Sequence, residues 1–280
     1  QVDNEYWKLF ASTNNSLIRL LKYGILPLNA QHFLHMDIKG GNVLRGGDDR
    51  STDCNCRLID WGLAETYTPL GNIPEDIKDK VIQYNIPFSI ILFGTNTIQN
   101  IKDELKETNT KLEQLNKNST GYKSILKIIS YNILQKSMTE VGKGHIGFIL
   151  KYMLPGIFKN QIYKGPEITH RLGGTDSATN LTFGSGIICD YLAEILFTFA
   201  KRGSNGEIID IDIQKYFLDV FVHNVDIWGF IMCYLPIIED RYSEFGGLKT
   251  PWNNVLTNGI ARICIKYCFS TTYAATKIPI

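Results

Sequence analysis

The sequence lacks three features that would each point to a particular class of protein. It has no uninterrupted apolar run of bilayer length, because the most apolar stretch, Phe217 to Ile238, is broken by Asp219, His223 and Asp226. Its formal net charge is only +1, without a clustered basic face. It also lacks the C-x-x-C spacing of a zinc site. We therefore expect no membrane span and no nucleic-acid partner.

The spacing of the cysteines and the length of the chain further limit the class of protein. The six cysteines form two loose pairs and two single positions, namely Cys54 with Cys56, Cys264 with Cys268, Cys189 and Cys233. This spacing favours free thiols over a metal site. With 280 residues, of which 44% are hydrophobic and 20% charged, the chain can form one large domain or two ordinary ones.

One stretch carries residues suited to phosphoryl transfer. Residues His35 to Asn42 read H-M-D-I-K-G-G-N, and residues Leu58 to Gly62 read L-I-D-W-G after an apolar run. Phosphoryl transfer needs a base for the attacking hydroxyl, a cation near the moving phosphate and oxygen ligands for Mg²⁺. This stretch supplies all of these groups, so it is the candidate active site.

The stretch resembles the catalytic loop and metal-binding loop of eukaryotic-type protein kinases, H-R-D-x-x-x-x-N and D-F-G. The resemblance implies that Asp37 accepts the substrate hydroxyl proton and that Lys39 lies over the transferred phosphate of ATP. It implies that Asn42 and Asp60 hold Mg²⁺. A lysine two positions after the aspartate resembles the serine/threonine branch of the family.

Other residues are implied to support this site. His35, Trp61 and Gly62 flank the two motifs, and Trp61 stands in the usual phenylalanine position, where we expect an apolar anchor whose N–H needs a partner. The segment around Asp226 resembles the D-x-W-x-x-G start of the central helix of the kinase large lobe, with Ile231 in the usual glycine position. In that family the aspartate receives hydrogen bonds from the catalytic-loop backbone. A plain helix N-cap is the compatible alternative for Asp226.

Two further observations bear on the kinase resemblance, namely the segment in the A-P-E position and a similar motif in small-molecule kinases. Tyr84 to Ser89 stands where kinases carry A-P-E and lacks its glutamate, and Gln83 to Phe93 resembles divergent kinases of giant DNA viruses. Aminoglycoside and choline kinases also combine H-x-D-x-x-x-x-N with a later I-D-W. Those families generally lack the lysine, and they often have an acidic residue where this chain has Gly62.

The expected fold is mainly α with a few short β-strands (α+β). The resemblance implies a kinase-like C-terminal lobe in two parts, residues 1–94 and 212–280, separated by a large helical insertion, residues 95–211. The small N-terminal lobe, with its glycine-rich loop and V-A-I-K lysine, is expected to be absent from the chain.

Local patterns predict several elements. A first helix runs from Glu5 until Gly24 and Pro27 end its pattern. Two short strands cover Val43-Leu44 and Cys56 to Ile59, joined by a turn in which Asp48 and Asp49 are solvated rather than metal ligands. Further helices are predicted over residues 97–118, 121–138, 146–153 before Pro155, 191–201, 213–222 and 259–269. Residues 164–185 are predicted to be a loop.

Three functions remain open from the sequence. The leading one is a serine/threonine-type protein kinase catalytic lobe that uses ATP and Mg²⁺ and phosphorylates a protein substrate. The alternatives are a catalytically inactive kinase-like interaction protein and a small-molecule phosphotransferase. A missing N-terminal lobe or a partner protein would complete the nucleotide site. The polar start of the chain predicts an intracellular protein, in the cytoplasm, or in the host cytoplasm or virion if the protein is viral.

Overall fold

The computed structural model describes residues 2–47, 54–112, 119–158, 183–204, 206–239 and 251–280. These residues are mainly helical, and their strands form three two-stranded antiparallel sheets. The mainly α prediction with a few short strands is therefore confirmed. The turn containing Asp48 and Asp49 lies outside the described residues, as do residues 164–182 of the predicted loop.

The helices and strands have the following bounds. The α-helices are α1 (Val2–Leu20), α2 (Leu26–Ala30), α3 (Thr97–Leu112), α4 (Ser119–Glu140), α5 (Ile146–Phe148), α6 (Leu154–Phe158), α7 (Phe183–Thr198), α8 (Ile213–Tyr216), α9 (Val222–Met232), α10 (Leu235–Glu239), α11 (Pro251–Ile263) and α12 (Thr271–Ala274). The strands are β1 (Phe33–Leu34), β2 (Val43–Gly46), β3 (Asn55–Leu58), β4 (Glu65–Thr66), β5 (Ala200–Arg202) and β6 (Ile208–Ile211). Strand β1 pairs with β4, β2 with β3, and β5 with β6.

The first helix does not end at Gly24 or Pro27, contrary to prediction. A π turn at Leu21–Ile25 joins α1 to α2, and the Leu26 N–H bonds to the Leu21 carbonyl, five residues back. Pro27 then falls in the first turn of α2, where its missing N–H and fixed φ are tolerated. The π turn therefore lets one helical segment cover residues 2–30.

The helix end predicted before Pro155 and the loop predicted to include Gly184 were both wrong. A π turn at Ile149–Met153 joins α5 to α6, and Pro155 lies in the first turn of α6 instead of beyond the helix. Gly184 belongs to α7 and not to a loop. A Cβ on Gly184 would lie 2.9 Å from Leu150 Cδ2, so the glycine lets α7 approach the π turn closely.

The core unites all three sequence segments. Phe88 packs edge-on against Tyr191 of α7 and Trp228 of α9, with ring centroids 5.7 and 5.2 Å apart. Phe93 packs in the same way against Phe221, at 4.7 Å. Buried residues from 1–94, 95–211 and 212–280 thus belong to one apolar cluster. Helix α9 is buried along most of its length and lies directly beneath the candidate site.

All six cysteines are free thiols. Within the described parts of the chain, no helix combines the length and the apolar character needed to cross a bilayer.

Candidate active site

Asp226 attaches the loop that carries Asp37 to helix α9. Its buried carboxylate accepts the backbone N–H groups of His35 and Met36 at 2.9 and 3.0 Å, and the Asn29 amide at 2.7 Å. Burial raises the pKa of Asp226, against the effect of these three hydrogen bonds. The contact between Asp226 and the loop backbone, expected from the kinase resemblance, is therefore present.

Asp226 does not cap a helix. It lies inside a helical segment that runs from α8 through a π turn at Phe217–Phe221 into α9. The N-cap alternative is therefore wrong. An N-cap accepts hydrogen bonds from the first turn of its own helix, whereas Asp226 accepts them from the loop residues His35 and Met36.

The loop backbone is strained beside Asp37. Met36 has a φ of 63°, in the left-handed region that costs a non-glycine residue about 1–2 kcal/mol. The two hydrogen bonds that the His35 and Met36 N–H groups donate to Asp226 hold these peptide groups in this conformation. Strain of this kind persists only where the surroundings over-determine it, and it is common at functional sites.

Asp37 lies at the centre of a network of donors and is only 4% exposed. Lys39 Nζ lies 3.0 and 2.8 Å from its two carboxylate oxygens. Asn42 Nδ2 donates to Oδ2 at 2.8 Å and to the Asp37 carbonyl at 2.9 Å. Asn85 Nδ2 donates to Oδ1 at 2.8 Å. The structure therefore brings the predicted base, lysine and amide together, and it adds Asn85.

Asn42 and Asp60 lie at the same end of the β2–β3 hairpin. Asn42 directly precedes β2, Asp60 follows β3, and the first rung of the ladder pairs Val43 with Leu58. The Ile59 N–H donates to the Asn42 carbonyl at 3.0 Å, which extends this register by one residue. Asp60 is exposed and has a φ of 62°.

The donor chemistry of Asn42 and Asp60 fits Mg²⁺. A carboxylate and an amide oxygen are hard ligands, and Mg²⁺ usually takes few protein ligands, with water and phosphate completing its coordination. Asn42 Oδ1 would be the ligand atom, because Nδ2 donates to Asp37. In the described part of the chain, no cluster of three or more His, Cys, Asp or Glu side chains could hold a metal by itself.

His35 connects the catalytic loop to the turn that carries Asp60. Its Nδ1 accepts the Asp37 N–H at 3.3 Å, so the protonated Nε2 donates to the Ile59 carbonyl at 3.1 Å. The imidazole packs against Trp61, with ring centroids 4.5 Å apart. His35 thereby sets the position of one motif relative to the other.

Of the two residues that follow Asp60, Trp61 differs from expectation, and no particular conformation was predicted for Gly62. Trp61 is 43% exposed, so it is not a buried apolar anchor, because the Trp61–Leu63 turn lies at the surface. Among the described residues, its ring neighbours are Phe33 and His35. Gly62 has an ordinary negative φ, and a Cβ there would lie 3.6 Å from Asp60 Oδ1, an acceptable contact. The backbone therefore does not require glycine at this position.

Sequence reasoning missed Asn85 and Gly229. Asn85 is buried inside the segment that replaces A-P-E, and a lone amide between Tyr84 and the apolar run from Ile86 was the available signal. A Cβ on Gly229 would lie 2.6 Å from the Ile38 carbonyl oxygen, so this glycine allows the loop to rest on α9.

No protein family, no curated protein and no solved structure matches the chain.

Proposed function

We propose that the protein is a serine/threonine-type protein kinase whose catalytic lobe transfers the γ-phosphate of Mg²⁺·ATP to a protein hydroxyl. The observation that carries the proposal is the contact of Lys39 with the Asp37 carboxylate, beside Asn42 and Asp60 at one hairpin end. The residues proposed as base, cation and oxygen ligands thus lie on one loop and at the adjoining end of one hairpin. This combination is what phosphoryl transfer requires.

Each residue then has a defined task. Asp37 orients the acceptor hydroxyl and takes its proton, and Lys39 neutralises charge on the moving phosphate. Asn42 and Asp60 hold Mg²⁺, which neutralises charge on the phosphate chain when bound. Asp226 and His35 act through the loop backbone and keep the other residues in register.

Lys39 has to leave Asp37 during this reaction. An ionised carboxylate offers about four acceptor sites, and four contacts from Lys39, Asn42 and Asn85 occupy them. The lysine side chain is 27% exposed, whereas Asn42 and Asn85 are buried. An incoming phosphate therefore draws Lys39 away, and one acceptor site becomes free on each oxygen.

The same occupancy favours a second candidate function, an interaction protein that retains the arrangement without turnover. If Lys39 never leaves Asp37, the carboxylate stays saturated and only holds the loop. The absence of the A-P-E glutamate from Tyr84 to Ser89 agrees with this alternative. Phosphoryl transfer by the protein decides between the two functions.

The test is a transfer assay with full-length protein, γ-labelled ATP, Mg²⁺ and dephosphorylated casein. We expect labelled phosphoserine or phosphothreonine. Asp37→Asn should lower the rate per folded molecule by about 10²–10⁴-fold. Asp103→Asn is the matched control, because this exposed aspartate on α3 accepts a hydrogen bond from Gln99 and takes no part in the candidate site. It should leave the rate unchanged.

The folded fraction of each variant needs its own measurement. Asp37→Asn replaces one acceptor oxygen by an NH2 group, which then faces an amide donor, Asn42 Nδ2 or Asn85 Nδ2. The donors left without an acceptor cost about 1–3 kcal/mol of stability. Urea unfolding corrects the rates for this loss. No transfer by the unsubstituted protein supports the interaction protein, and label on choline or an aminoglycoside instead of casein supports a small-molecule phosphotransferase.

A further inference from the structure

Asn85 is a buried polar side chain that the sequence motifs do not explain. It is 1% exposed, and its Nδ2 donates to Asp37 Oδ1 at 2.8 Å and to the Ile38 carbonyl at 3.3 Å. Its Oδ1 is also buried and accepts no hydrogen bond from the described residues. An unsatisfied buried oxygen destabilises a fold, so its presence in a native site calls for an explanation.

Helix α9 holds Asn85 and the catalytic loop on one face. Trp228 Nε1 donates to the Tyr84 carbonyl at 2.9 Å, while Asp226 holds the loop from two residues earlier in the helix. A Cβ on Gly229 would lie 2.6 Å from the backbone carbonyl oxygen of Ile38 and 3.3 Å from the backbone carbonyl oxygen of Asn85. Helix α9 therefore packs against both the loop and the segment that begins at Tyr84. The Asn85 amide connects that segment to the loop.

We infer that Asn85 is a positioning residue that keeps the Asp37 carboxylate oriented while Lys39 is engaged with phosphate. The inference rests on the proposed function. Once Lys39 leaves, Asn42 still holds Oδ2 and Asn85 still holds Oδ1. Each oxygen is then fixed by one amide and has one free acceptor site for the hydroxyl proton.

Loss of Asn85 should therefore affect turnover more than nucleotide binding. In the full-length protein, Asn85→Ala should lower kcat by about 10- to 100-fold, since small misplacements of a reacting group have effects of this size. KM for ATP should stay within about threefold, because Asn85 contacts neither the phosphate site nor the metal ligands. All rates are expressed per folded molecule, measured by urea unfolding.

Asn224→Ala is the matched control. Asn224 is an equally buried amide on α9, but it donates to the Tyr273 and Thr276 carbonyls and accepts the Ile278 N–H of the C-terminal segment. Its removal should lower stability and leave kcat per folded molecule unchanged. Equal kcat values for Asn85→Ala and Asn224→Ala would overturn the positioning role.

A double substitution separates positioning from general damage. In an Asp37→Asn background, Asn85→Ala should cause no further loss of kcat, because it acts through the Asp37 carboxylate. A further loss as large as in the unsubstituted protein would also overturn the inference. Absence of transfer by the unsubstituted protein is a different result, since it removes the proposed function itself.

Discussion

Asn42 and Asp60 share an assignment to Mg²⁺ but lie in different surroundings. Asn42 is buried and donates to both a carboxylate oxygen and the carbonyl of Asp37. Asp60 is exposed in a left-handed turn, a conformation that aspartate and asparagine tolerate better than most residues. The two positions should therefore respond differently to substitution.

We expect Asp60→Asn to remove most Mg²⁺-dependent nucleotide binding while changing the free energy of unfolding by less than about 0.5 kcal/mol. A charged carboxylate is the stronger ligand for a hard cation. Asn42→Ala should weaken binding less and cost about 1–3 kcal/mol of stability, because Asp37 loses a buried donor. Titration of ATP with and without Mg²⁺, paired with urea unfolding, measures both effects. The reverse pattern would contradict the ligand assignment.

For individual residues, the sequence indicated the members of the candidate site where the residue type and its motif position define a role. Asp37, Lys39 and Asn42 were predicted together and lie in contact. Asn85 was missed because its role depends on a contact across 48 positions of the chain, and no local spacing encodes such a contact. Trp61 was misjudged because the resemblance could not show that its turn lies at the surface.

Among the elements, α9 contributes most to the site, and Gly229 is the position where it meets the loop. Gly229→Ala should cost about 1–3 kcal/mol, because a Cβ 2.6 Å from the Ile38 carbonyl oxygen forces helix and loop apart. Gly259→Ala on α11 is the control. A Cβ there meets nothing within 4 Å, so alanine should stabilise the helix by about 0.5–1 kcal/mol.

Urea unfolding of both glycine variants tests this contrast. Equal and favourable effects of the two substitutions would show that the loop does not rest on α9 as described. A loss confined to Gly229→Ala, accompanied by lower phosphoryl transfer, would tie the helix–loop contact to activity.

Several elements were predicted from local sequence patterns, including α3, α4 and the strands β2 and β3. The helix predicted over residues 191–201 instead ends at Thr198, and β5 begins at Ala200. The helix ends near Pro27 and Pro155 were also predicted wrongly. At both places proline normally ends a helix, and here a π turn directly before it changes the bonding register. Side-chain patterns do not signal such turns, so the helices were predicted too short.

On the scale of the whole molecule, the 95–211 segment shares its core with the rest of the chain. Tyr191 of this segment packs against both Phe88 and Trp228. The sequence indicated where the kinase resemblance stops, but it could not show how the remaining residues pack, because those contacts have no motif.

The residues of the candidate site are proposed to interact with phosphate, metal and hydroxyl, whereas an adenine ring gains affinity from apolar enclosure. We therefore expect residues 1–280 to bind Mg²⁺·ATP and Mg²⁺·tripolyphosphate with Kd values within about tenfold, or ~1.4 kcal/mol, of each other. Calorimetric titration of both ligands measures this difference, and Asp60→Asn should weaken both. ATP binding more than about 100-fold tighter would instead place an adenine pocket within these residues.

The π turn at Phe217–Phe221 has a consequence for how this chain tolerates change. Each residue advances an α-helix by about 100°, so the wider turn offsets the rotational phase of α9 from that of α8. The face with Asp226 and Gly229 is thereby oriented toward the loop that carries Asp37. Deleting one residue from the turn should restore ordinary winding and swing that face away from Asp37. The turn thus sets the rotation at which α9 presents Asp226 and Gly229 to the loop that carries Asp37.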